Sequence, residues 1–235
     1  MREKRWGGVW VDLATNFSKF WARPFKTRVF ALAAFSILLC GIFLAYKFAT
    51  RNKPEQPIPA ILSEHPSPVP TMMLADDYIY RQDDSRWGHE TIGETTDTMS
   101  AYGCTISSVA LAASNLTQTE ITPSMLQSRL SDAGGFTSRG WLIWDKVSEA
   151  TDGKITAKYF DNPSHTDIEA CIAEGNYPVI KIKLYDSIIH WVAIVGTTED
   201  QYLIRDPLVG TANDAPIELS DRSEDILGVR CIARI

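Results

Sequence analysis

Apolar residues recur at helical spacing in the first part of this chain and alternate with polar ones in the last part. Trp6, Trp10, Leu13, Phe17, Phe20 and Trp21 lie three or four positions apart among basic residues, the pattern of an amphipathic helix. Gly7 and Gly8 weaken its start and Pro24 interrupts its end. Val29 to Tyr46 runs for 18 residues without a charge, about 27 Å of helix at ~1.5 Å per residue. That is long enough to cross a bilayer. Ile106, Val109, Ala110 and Ala113 then predict a helix with one buried face. Thr122-Pro123 is a cap with proline at the first helical position, opening a helix that should stop by Gly134 or Gly135. Trp141, Trp144, Val147 or Ser148, and Thr151 suggest a third helix with both tryptophans in the core. Thr166-x-x-Glu169 reads as a capping box on a short helix ending at Gly175. Strands follow at Pro178 to Leu184, His190 to Val195, Tyr202 to Arg205 and Ile226 to Ile235. Helices first and then a mostly antiparallel sheet make an α+β domain.

Charge divides the chain. Residues 1–28 carry seven Lys or Arg against two Asp or Glu, a charge of +5, which leaves −11 for the rest of a chain whose net charge is −6. A basic leader before an apolar span stays on the cytoplasmic side, placing the remainder outside. Lys47 would occupy the −3 position of a cut after Ala49, which disfavours a cleaved signal peptide. The proline-rich stretch that follows predicts a semi-rigid spacer. The expected organisation is a basic cytoplasmic leader over 1–28, a transmembrane helix over 29–48, an extracytoplasmic spacer over 49–74 and a compact domain over 75–235. So acidic a domain argues against nucleic acid as its partner.

Cys40, Cys104, Cys171 and Cys231 form no CxxC pair and no zinc-like spacing with histidine, so neither a metal nor another cofactor is expected. Cys171 and Cys231 either pair, if the domain lies outside the cytoplasm, or pack as separate thiols. Cys104 follows Gly103 at the mouth of the first domain helix. Free N–H groups and the helix dipole there favour the anionic, nucleophilic form of a thiol. Downstream, a hairpin around residues 196–201 with Val195 facing Tyr202 would set His190 opposite position 207. A shift of one residue would set it opposite Asp206. Either way an imidazole and a carboxylate share one hairpin end. A carboxylate there orients the ring and steadies its cation. Cys104, His190 and Asp206 thus make the nucleophile, base and orienter that acyl transfer needs.

Four segments carry a resemblance. They are Arg81-Gln82-Asp83-Asp84-Ser85-Arg86-Trp87-Gly88; Tyr102-Gly103-Cys104 with Ser107-Ser108; His190-Trp191-Val192-Ala193-Ile194-Val195-Gly196; and Tyr202-Leu203-Ile204-Arg205-Asp206-Pro207. In order and spacing, over roughly residues 76 to 210, they resemble the papain-like cysteine peptidases of the peptidase C-39-like family, related to bacteriocin-processing peptidases. The resemblance implies a papain-like fold, Cys104 as nucleophile, His190 as general base, Asp206 as its orienter and Gln82 as an oxyanion-hole donor. It departs from the bacteriocin-processing branch in two places. Thr98 stands where that branch has its glutamine, about six residues before the cysteine, and Thr105-Ile106 replaces the usual Gly-Pro after it.

The expected function is a membrane-anchored, extracytoplasmic cysteine peptidase acting on peptides or proteins through a thioester acyl-enzyme. It is held to the membrane by one transmembrane helix. Two alternatives remain: a papain-like hydrolase of cell-wall peptides or amides, and a catalytically inactive peptide-binding module on a membrane tether.

Overall fold

Met72–Met73 is the first strand, β1, of the computed structural model, which describes residues 71–185, 187–210, 214–223 and 225–235. The expected leader, transmembrane helix and nearly all of the spacer lie outside the described residues. Among the described residues, no helix is long and apolar enough to cross a membrane.

Four helices follow: α1 (Met99–Tyr102), α2 (Cys104–Thr117), α3 (Pro123–Asp132) and α4 (Lys146–Ala150). Then come β2 (Ile155–Tyr159), α5 (His165–Ala173), β3 (Tyr177–Leu184), β4 (Ile188–Thr197), β5 (Tyr202–Arg205), β6 (Ile217–Glu218), a 3₁₀ turn at Leu219–Asp221, and β7 (Ile226–Arg234). The strands form one antiparallel sheet in the order β2-β7-β3-β4-β5-β6, with β1 paired to the end of β4. This is the mixed helix and antiparallel sheet architecture read from the pattern.

Two apolar layers hold the sheet. On one face α2 buries Ile106, Val109, Ala110, Leu111 and Ala113 against Tyr177, Val179, Ala193, Val195 and Ile232. Each large apolar side chain so buried contributes roughly 1.5–3 kcal/mol, so the helix that begins at Cys104 is firmly seated. On the other face Ile168 and Ile172 of α5 pack with Ile180, Ile182, Val192, Ile194 and Ile204.

Several expectations shift. β1 pairs Met72 with Thr197 and Met73 with Gly196, so the folded unit reaches back before residue 75. A Cβ at 196 would collide with Met72 and Met73, so only glycine lets that strand approach. The expected third helix shrinks to one turn, α4, because Gly140 takes a left-handed φ of 74° and the chain turns through Trp141 and Trp144 before it coils. Trp141 is exposed rather than core. The α5 capping box is formed by Ser164 and Asp167, not by Thr166 and Glu169; the earlier serine competes better because it alone sits in extended conformation at the cap. The α3 cap forms as read, with Thr122 accepting from Met125 N–H at 3.2 Å.

Cys171 of α5 and Cys231 of β7 form a disulfide across 60 residues. By chain entropy alone such a loop is worth about 4 kcal/mol. Cys104 is the free cysteine among the described residues.

Candidate active site

Gly103 joins α1 directly to α2, and a Cβ there would strike the Met99 carbonyl. Cys104 is therefore the first residue of α2 and half-buried, beside Thr105 Oγ1 at 4.0 Å. No acidic residue sits in this first turn, so nothing negative competes for the free N–H groups at the helix start. Ser108, one turn on, donates to the Trp191 carbonyl at 3.2 Å. That bond ties the Cys104 end of the helix to the residue beside His190.

His190 is buried near the start of β4, and Asp206 is buried just past the end of β5. His190 Nε2 lies 2.7 Å from Asp206 Oδ1. The pairing that brings them together differs from both expected registers. Thr197 faces Tyr202 and Gly196 faces Leu203; Val195 is then skipped, and Ile194 faces Ile204 and Ala193 faces Arg205. Continued, that register sets Asp206 opposite Val192, two residues from His190 on the same face of the sheet. The contact is a diagonal one, within reach of these two side chains. The bulge at Val195 is the one-residue correction that no alternation pattern announces.

Asp206 accepts three bonds. Oδ1 also takes the Leu208 N–H at 2.8 Å, and Oδ2 takes Arg222 Nε at 2.7 Å. Burial pushes this carboxyl up. The bond from His190, its charge, the Leu208 N–H and the Arg222 charge outweigh burial and hold it below the ordinary value. Arg222 was not legible in the sequence. It follows the 3₁₀ turn at Leu219–Asp221, and no spacing rule connects it to Asp206.

Burial alone would drive the His190 ring neutral. Hydrogen bonds to Asp206 and to Cys104, and attraction to both, reverse that and push it from 6.5 up to about 9. With Nε2 engaged by Asp206, Nδ1 is the nitrogen left for the sulfur. The raised value has a consequence for folding. A ring charged more readily in the folded than the unfolded state adds stability that is fully present below pH 6.5 and is lost as pH rises through about 9. At ~1.4 kcal/mol per unit this is roughly 3 kcal/mol. Urea midpoints should therefore fall between pH 6 and pH 9.5 by more in the wild type than in His190→Gln. Equal falls would mean that the ring gains no proton affinity on folding.

Gln82 is buried, and its backbone meets the residue after Asp206. Its N–H bonds to the Pro207 carbonyl at 3.0 Å, and its side-chain Nε2 donates to the Ser100 carbonyl at 2.7 Å. Asn115 of α2 steers the chain here by holding the N–H groups of Asp77 and Tyr78 and the Tyr78 carbonyl. One Nε2 hydrogen is thus committed to Ser100 and the second remains. Gln82 Oε1 has no hydrogen-bond partner among the described residues. Asp83 and Asp84 form ion pairs with Arg81 and Arg86, so they shape the turn. Trp87 is buried with its Nε1 on the Arg81 carbonyl.

No family model and no curated protein matches this chain. A solved structure does. The fold is similar to that of a candidate C39-like peptidase from Bacillus anthracis. That likeness has a TM-score of 0.46 at 12% identity and covers 71% of this chain and 99% of the other.

Proposed function

We propose that this chain is a cysteine peptidase of papain-like fold, with Cys104 as nucleophile, His190 as proton carrier, Asp206 as its orienter and Gln82 in the oxyanion hole. One observation carries the reading: a buried His190 ring bonded through Nε2 to Asp206 at 2.7 Å, with Cys104 among the groups that raise its proton affinity. A ring that holds its proton up to about pH 9 refines the expected role of general base. In the reactive form the thiol proton is on the imidazole. The Cys104 sulfur anion attacks the carbonyl carbon, and the electron pair of the carbonyl moves onto oxygen. The Cys104 backbone N–H and the spare Gln82 Nε2 hydrogen would hold that charge. As the C–N bond breaks, His190 gives its proton to the leaving amine, and a thioester remains. The neutral ring then takes a proton from water, which attacks the thioester and returns acid product and thiolate–imidazolium.

The setting we propose is extracytoplasmic, on a single-pass membrane anchor. The apolar span and basic leader support the anchor, and the Cys171–Cys231 disulfide supports an oxidising compartment. The binding-module alternative draws on Gln82, whose Nε2 is bonded to Ser100.

Incubating the purified full chain with a diverse peptide library, with fragments read by mass spectrometry, tests the activity. Cleavage that stops on prior alkylation of Cys104 is the expected result. A library left intact under reducing and non-reducing conditions alike sinks the peptidase reading.

A further inference from the structure

The face of the sheet that α2 covers is only half covered. Val179, Ala193 and Ile232 lie under the helix. Further along the same face the register places Tyr159 beside Arg230, Lys181 between Trp191 and Gly228, and Lys183 beside Ile189. All three cations are only partly buried, and Tyr159 is exposed. None of them forms an ion pair with a described residue. Three cations in a row with no ion-pair partner among the described residues are unexpected in a chain that carries −11 outside the leader.

Aromatic rings frame the strip. Trp144 packs on Trp191 with ring centroids 5.0 Å apart. The Arg230 guanidinium lies 4.0 Å over the Tyr159 ring, 5.3 Å from Trp144 and 5.9 Å from Trp191. Rings on several sides hold the guanidinium in place. Its Nη1 donates to the Val229 carbonyl, and its buried Nε has no acceptor among the described residues. Gly228 leaves room beside Lys181, where a Cβ would stand 3.6 Å from that of the lysine. The strip begins at Trp191, whose carbonyl binds Ser108, one helical turn from Cys104. Trp191 thus ties the strip to the helix that carries Cys104.

We propose that this strip, Lys181, Lys183 and Arg230 with Trp144, Trp191 and Tyr159, is the substrate subsite for an acidic segment of peptide flanking the scissile bond. The proposal deepens the peptidase reading, on which its ligand class rests. Carboxylates of the peptide would pair with the two lysines and the guanidinium, while the peptide's apolar atoms lie on the rings. Each half-exposed pair is worth roughly 0.2–1 kcal/mol, so three together favour an acidic peptide about tenfold over a neutral one. In an acidic domain a confined positive strip also steers such a ligand to one place.

Binding is measured apart from turnover, on the full chain carrying Cys104→Ala, by anisotropy of dye-labelled capped hexapeptides. One alternates alanine with glutamate and its twin alternates alanine with glutamine. The glutamate peptide is expected to bind about tenfold more tightly, and the preference should fade at about 0.5 M salt. Lys181→Gln with Lys183→Gln should abolish the preference while leaving the melting temperature unchanged. Equal affinity for the two peptides, no measurable binding of either, or a preference that survives the lysine changes overturns the proposal. Should the glutamate preference hold while the wild-type chain cleaves no peptide, the peptidase reading fails and the acidic subsite stands.

Discussion

Cys104→Ala is expected to lower peptide hydrolysis by at least about 10⁴-fold, to the residual rate that substrate positioning alone supports. Alanine removes the sulfur, with its interactions with Thr105 Oγ1 and the His190 ring, and leaves the backbone of α2 unchanged. The Gly103 junction, the seat of α2 and the Ser108 tie to Trp191 stay as they are. Folding should therefore survive, and the loss should appear in kcat with KM little changed. His190→Ala should fall by a similar factor rather than adding to it, because nucleophile and proton carrier act as one unit. Steady-state rates of the two single variants and the double variant check this. A Cys104→Ala protein that retains wild-type hydrolysis would end the nucleophile assignment.

Asp206→Ala should be the most damaging substitution for folding at this site. Three donors converge on that carboxylate: His190 Nε2, the Leu208 N–H and Arg222 Nε. Truncation strands the Arg222 guanidinium, whose side chain is 15% exposed, against a carboxylate that was fully buried. Breaking a buried pair by removing one partner costs about 3–5 kcal/mol. For a domain of this size that is on the order of 10 °C in melting temperature. Asp206→Ala with Arg222→Met removes both charges and replaces the stem of the arginine with apolar volume. It should recover most of that loss without recovering activity, because the His190 ring still lacks its orienter. Thermal melts and rates on the two variants separate these effects. An Asp206→Ala protein that melts with the wild type would show that Arg222 and His190 find other partners.

The contrast between these two residues separates what is legible in a sequence from what is not. Cys104 announces itself locally: a glycine before it, and Ile106, Val109, Ala110 and Ala113 marking one face of its helix. The Thr122 cap and the strand at Tyr202 to Arg205 are legible for the same reason, since each depends on neighbours within a few residues. Cys104, His190, Asp206 and Gln82 could all be named from the sequence as candidates, three of them from their chemistry and Gln82 through family resemblance.

Their spatial relations were decided elsewhere. The His190–Asp206 contact depends on a bulge at Val195, a residue beside which β1 arrives from the far end of the domain with Met73 on Gly196. Arg222 reaches Asp206 only because a 3₁₀ turn follows β6. The Cys171–Cys231 pairing needed α5 and β7 to meet, and until they did the two thiols had two fates. Local propensity and alternation act over one element and so are written in it. Register, burial and the pairing of charges are settled by groups distant along the chain, and only the closed fold sets them face to face.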